Sequence, residues 1–147
     1  FVYDSARSLV IGGSLDGSFY ALDTKTGACR WKFKTSDGIF STPLIVGDAV
    51  YCTSLDKHVY ALSLDDGREL WRFATYGRIF ATPVYAEGSL WVGSNDGRLY
   101  ELDPKTGRAH GTLQFSERIT NAIAYNPKTK RFFIPTFANE IYALTRT

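Results

Sequence analysis

Along the chain, short runs of alternating apolar and polar residues recur between clusters of Gly, Asp, Ser and Thr, and no stretch keeps a helical rhythm. "CRWKFKT" places Trp31 and Phe33 on one side and Arg30, Lys32 and Lys34 on the other; "LWRFAT" repeats the arrangement with Trp71 and Phe73. Period two marks a strand, because successive side chains of extended backbone leave opposite faces. Asp16-Gly17 joins "LVIGGSL" to "SFYALD", and Asp96-Gly97 joins "LWVGSN" to "RLYELD". Asp-Gly is a strong hairpin signal, since tight hairpin turns need positive φ. A second turn follows at "DTKTG", "SLDDG" and "DPKTG", where Gly27, Gly67 and Gly107 reach a left-handed conformation without a Cβ clash.

These signals repeat. "SLDGSFYALDTKTG", "SLDKHVYALSLDDG" and "SNDGRLYELDPKTG" begin at Ser14, Ser54 and Ser94, forty residues apart, and a degraded fourth copy reads "TFANEIYALTRT". In the second copy the pattern predicts strands A to D over 42–46, 49–54, 58–63 and 69–75, a four-stranded antiparallel meander. A forty-residue period belongs either to propeller blades or to helical repeats, and four strands per period selects the propeller. The expected fold is therefore all-β: a partial β-propeller over 1–147, with blades at about 1–35, 39–75, 79–115 and 119–147. Some fifteen strands are expected, the first over residues 1–3. The fourth blade lacks its outer D strand.

The residues resemble the pyrroloquinoline-quinone (PQQ)-like repeat of the quinoprotein alcohol dehydrogenase-like propellers. The resemblance rests on "DGSFYALDTKTGACRWKF", "KHVYALSLDDGRELWRF" and "DGRLYELDPKTGRAHGTL", each preceded by "TP" or its counterpart. It implies that Trp31 and Trp71, together with the turn glycines Gly27, Gly67 and Gly107, form docking contacts between neighbouring blades. Gly111 stands at the tryptophan position of the third copy, which implies a weaker contact there. For a bacterial member, the resemblance also implies a periplasmic or other extracytoplasmic location.

Composition narrows the function classes. Seventeen basic against fifteen acidic residues give a formal charge of +2 without runs of either sign, so nothing suggests a nucleic-acid partner. No apolar run approaches the roughly 18 residues of a membrane-spanning helix. The chain has no methionine and opens on the strand-like "FVYDSARSLVIGG", which reads as an excised or processed piece, with Thr147 expected close to a natural C-terminus. Cys29 and Cys52 sit at different places in the repeat and outside any metal-ligand spacing; they read as buried or half-buried thiols in strands.

A residue type that recurs in every blade is required by the blade, because one active site does not need three copies. Asp16, Asp56 and Asp96 thus read as turn residues, and Tyr20, Tyr60 and Tyr100 as structural. The informative positions are those that break the repeat. In a meander the A–B and C–D turns share one face, and the B–C and D–A turns share the other. On the second face lie Lys57, His58, Arg78, Arg118, Asn121, Asn139 and Glu140, the candidates for binding a ligand or partner. On the first, the A–B turns of the first and last blades carry two extra residues each.

No nucleophile elbow, Walker loop or dinucleotide fingerprint is present; "GGSLDG" joins two strands and lacks the following Lys-Ser/Thr. No catalytic residue, metal site or cofactor is assigned. Two readings remain. In the first, the chain is a non-catalytic scaffold or protein-interaction module, completed by a protein partner, by further blades of the same propeller or by a second copy of itself as a homo-dimer. In the second, it is a fragment of a PQQ-dependent quinoprotein dehydrogenase, with PQQ and calcium as cofactors. The family's quinone enzymes use a vicinal cysteine pair, and this chain has no Cys-Cys.

Overall fold

A computed structural model describes residues 1–145. The expected end of the fourth blade at Thr147 lies outside the described residues. The strands run β1 (Val2–Asp4), β2 (Leu9–Gly13), β3 (Ser18–Asp23) and β4 (Cys29–Lys34) in the first sheet. The second holds β5 (Leu44–Val46), β6 (Ala49–Thr53), β7 (His58–Ser63) and β8 (Glu69–Ala74). The third holds β9 (Val84–Ala86), β10 (Ser89–Gly93), β11 (Arg98–Leu102) and β12 (Ala109–Gln114), and the last holds β13 (Ala124–Asn126), β14 (Arg131–Pro135) and β15 (Ile141–Thr145). Each sheet is an antiparallel meander in chain order, so the described residues form three four-stranded blades and one three-stranded blade of a partial propeller.

Strand ends depart slightly from the pattern. β5 starts at Leu44, not 42, because Pro43 has no N–H to give a ladder and the Thr42 N–H is turned towards the Thr82 hydroxyl at 3.1 Å. β8 stops before Thr75, whose backbone and hydroxyl both turn to the Lys57 carbonyl. The first strand sits one residue later than expected. Cys52 is buried, and burial pushes its thiol pKa up; Cys29, expected to be at least half buried, is exposed at the start of the outermost strand of its blade.

The apolar cores lie between blades. Ile11, Phe19 and Trp31 of the first meet Val50, Cys52, Tyr60, Leu62 and Leu64 of the second. Val59, Ala61 and Trp71 of the second meet Leu90, Val92, Tyr100 and Leu102 of the third. Trp91, Leu99 and Phe115 of the third meet Phe132 and Ile134 of the fourth. Each fully buried Leu, Ile or Phe contributes about 1.5–3 kcal/mol, so stability is distributed over blade-to-blade contacts instead of one central core.

The tryptophan strand has a device of its own. In the first three blades the outer ladder carries a β-bulge, between Ala21 and Leu22, Ala61 and Leu62, and Glu101 and Leu102. The extra residue is Arg30, Leu70 or His110, immediately before the tryptophan position. A bulge re-aims the side chain that follows it. In the first two blades that side chain is an indole directed at the next blade.

Candidate functional site

The hydrogen bonds sort the loops into the two predicted faces. On one, Arg7 in the first A–B hairpin binds Asp4 at 3.0 Å and reaches across to Asp48 at 2.6 Å and Asp65 at 2.5 Å, in the A–B and C–D turns of the second blade. The longer hairpins also protrude here: four residues separate β1 from β2 and β13 from β14, against two between β5 and β6 and between β9 and β10. On the other face, B–C turns meet the segments between blades. The Leu55, Asn95 and Phe137 amides donate to the Gly38, Arg78 and Arg118 carbonyls at 3.0 Å each.

The repeated aspartates are consumed by this framework. Asp16, Asp56 and Asp96 accept the amides of Ser18, His58 and Arg98 and the phenols of Tyr20, Tyr60 and Tyr100, the latter at 2.6–2.7 Å. Asp56 and Asp96 also accept the Ser36 and Tyr76 amides of the preceding inter-blade segments at 3.0 Å. One carboxylate thus closes a hairpin, fixes a tyrosine and ties a blade to the segment before it. The Tyr20 hydrogen bond holds the Asp16 carboxyl down at about 2. Burial, with the Asp96 carboxylate, pushes the Tyr100 phenol up to about 12.

The candidate residues all lie in loops or strand ends on the B–C and D–A side, but they do not converge. Lys57 and Asn139 occupy the turn position held by Gly17 and Gly97 in the other copies, with φ of 74° and 62°. Lys57 is exposed; the His58 ring lies against the Asp56 carbonyl at 3.0 Å, beside Tyr60. Glu140 accepts the Tyr142 phenol at 2.7 Å, supplying from the fourth blade the carboxylate that Asp56 gives Tyr60. Arg118 packs its guanidinium 3.9 Å from the Phe137 ring centre. Arg78 and Asn121 are exposed. A shallow polar recess of about 300 Å³ lies here between Asp96, Gln114, Glu117 and Arg118; of the seven candidates, Arg118 lines it.

Sequence reasoning missed the Arg7 clamp and the aspartate–tyrosine bond. The clamp was signalled only by the extra hairpin residues, the bond by Asp and Tyr recurring four residues apart. The donor set does not fit a calcium–quinone pair. Calcium takes six to eight oxygen ligands, whereas the repeated aspartates are dispersed one to each hairpin, and among the described residues no group of three His, Cys, Asp or Glu side chains is placed to hold a metal ion. Cys29 and Cys52 belong to different blades.

With four meanders and their shared turn chemistry in place, the comparisons are decisive about kinship. The family described as "Outer membrane protein assembly factor BamB" matches residues 2–145. The chain belongs to this family of PQQ-like repeat propellers. Among solved structures it superposes on BamB from Moraxella catarrhalis with a TM-score of 0.83 at 23% identity, covering 97% of this chain and 47% of that one. It also superposes on the quinohemoprotein alcohol dehydrogenase ADHIIG from Pseudomonas putida HK5, with a TM-score of 0.79 at 16% identity over 88% of this chain and 27% of the enzyme. Such identities establish the fold alone. The beta-alanine-activating enzyme of Danio rerio is 36% identical over 50 residues, 34% of this chain and 4% of that protein. The chain therefore spans about half of BamB and a smaller share of the two enzymes. No helix among the described residues is long and apolar enough to cross a membrane.

Proposed function

We propose that the chain is part of a larger, non-catalytic propeller acting as a scaffold or protein-interaction module, whose B–C and D–A face meets a protein partner. Trp31 and Trp71, seated on Gly67 and Gly107, serve as the blade locks. The observation that carries the reading is the division of labour among polar residues. The repeated aspartates and tyrosines are spent on identical framework bonds, while Lys57 and Asn121 break the repeat and, with Arg78 and Arg118 at one shared inter-blade position, stand exposed on one face. Exposed, non-repeating loop residues on a rigid frame are what a recognition surface requires.

Site-specific photo-crosslinking tests this. A crosslinker at position 57 or 118 should capture a protein in an extract of the native host, and one at Lys128 on the opposite face should not. Equal capture at all three positions, or capture at 128 alone, removes the assignment of the face. Adding PQQ and calcium to the purified protein should leave its visible spectrum that of free quinone. A saturable shift in that spectrum would restore the dehydrogenase reading.

A further inference from the structure

Among the described residues each of the first three blades ends in an edge strand, β4, β8 or β12, whose outer side no other strand pairs. The ladder fixes which backbone groups that side presents. The Thr35, Thr75 and Phe115 amides donate to the Gly17, Lys57 and Gly97 carbonyls. In the same registers Ser18 stands opposite Lys34, His58 opposite Ala74 and Arg98 opposite Gln114. Bonded and non-bonded pairs alternate along an antiparallel ladder. Phe33, Phe73 and Leu113 therefore bond inward. The N–H and C=O groups of Lys32 and Lys34, of Arg72 and Ala74, and of Thr112 and Gln114 point away from their blades.

Outward-pointing groups of this kind are a template for one more strand, and proteins guard them with charge, lysine above all. β4 is guarded by Lys32 and Lys34 themselves. β8 carries Arg72, held by the Glu69 carboxylate at 2.6 and 2.8 Å. β12 reads "AHGTLQ", with no lysine, arginine, aspartate or glutamate anywhere in the strand. The Gln114 side chain folds back onto the Gly97 and Phe115 carbonyls at 3.2 and 2.9 Å, which keeps it out of the path of an incoming backbone.

We propose that β12 is a self-association edge, pairing antiparallel with β12 of a second copy about a two-fold axis at Leu113. In this register Thr112 of each copy exchanges both backbone hydrogen bonds with Gln114 of the other, and two four-stranded sheets become one continuous sheet. The two Leu113 side chains meet as a close, non-bonded pair on the axis. Charge selects the second copy at this edge. The same register on β4 would set Lys32 against Lys34 on both sides of the axis, and on β8 it would bring the two Arg72 side chains to diagonal positions of one face. Of these three edges, β12 alone pairs with itself without like charges, and an isologous contact needs such self-complementarity. The B–C and D–A turns stay free, so the dimer is independent of the partner-binding face.

Sedimentation equilibrium over a range of concentrations, combined with amide hydrogen exchange, tests this. The chain should dimerise below millimolar concentration, and the Thr112 and Gln114 amides should exchange more slowly as the dimer forms. Thr112→Pro removes an outward N–H and leaves the bonds to β11 in place, so it should weaken dimerisation about tenfold or more while circular dichroism shows the strands retained. Thr112→Lys, which copies the guard at Lys32, should do the same without touching the backbone. Lys32→Pro, the equivalent change on β4, should leave the dimer intact. A chain that stays monomeric, a dimer that survives both Thr112 substitutions, or one in which the Thr112 and Gln114 amides exchange as fast as in the monomer would each overturn the proposal.

Discussion

The interfaces joining the first three blades and the interface joining the third to the fourth meet the same requirement differently. In the former, an outer-strand indole crosses to the next blade. Trp31 donates to the Leu64 carbonyl at 3.0 Å and Trp71 to that of Pro104 at 2.9 Å, each ring lying over a turn glycine. In the latter the outer position is Gly111, and Trp91 stacks on Phe132 from an inner strand. The repeat thus pairs residues 36 positions apart, Trp31 with Gly67 and Trp71 with Gly107, so that the lock is an indole together with the glycine that receives it.

The largest effect should come from removing one partner. Trp71 is 9% exposed, and Trp71→Ala should cost about 3–5 kcal/mol, whereas Lys57→Ala or His58→Ala should stay within about 0.5 kcal/mol. Thermal melts compare them; similar shifts would mean that the indole contributes nothing special at the blade interface.

The glycine seats give a sharper comparison. Gly27 and Gly67 have nearly the same φ, 74° and 71°, but a Cβ at Gly67 would fall 2.6 Å from the Trp31 ring while one at Gly27 would meet nothing within 4 Å. Gly27→Ala should therefore cost only the left-handed backbone, about 1 kcal/mol, and Gly67→Ala a further 1–3 kcal/mol or so for overpacking. Equal losses in chemical denaturation would break the idea of a seat.

A smaller effect should appear in alkali. The Tyr100 phenol ionises near 10 when unfolded but is pushed up to about 12 in the folded blade, so its contribution is complete below pH 10 and is lost as pH rises to 12. Asp96→Asn removes the neighbouring carboxylate and should shrink the stability lost over that window. An unchanged profile would separate Tyr100 from Asp96. Smallest of all, Lys57→Gly should stabilise by up to about 1 kcal/mol, because it relieves a lysine at φ 74°, and denaturation midpoints would detect a change of sign.

Much of the frame was legible in the chain because it is local. The Asp-Gly hairpins, the alternating "RWKF" run and the forty-residue period placed the strands to within a residue or two, and the two extra residues in "DSARS" and "NPKTK" placed the longer hairpins. What escaped depends on register between distant segments. Nothing near Arg7 announces Asp48 and Asp65, and the exposure of Cys29 follows from its place at the edge of a blade. Which backbone groups of β12 point outward follows only once its register on β11 is fixed. The candidate surface residues lie in turns, inter-blade segments and strand ends of separate blades, and their separation follows from the geometry of the ring, which no single segment of the sequence shows.

A double-mutant cycle on Trp71 and Gly107 measures the central pairing directly. Alone, Gly107→Ala drives a Cβ to 2.5 Å from the Trp71 ring and should cost clearly more than Gly27→Ala. In the Trp71→Ala background the same change should cost only what Gly27→Ala costs, about 1 kcal/mol, leaving a coupling of about 1–3 kcal/mol between the two sites. Additive losses, with no coupling beyond about 0.5 kcal/mol, would contradict the claim that an indole and a turn glycine act as one lock between blades.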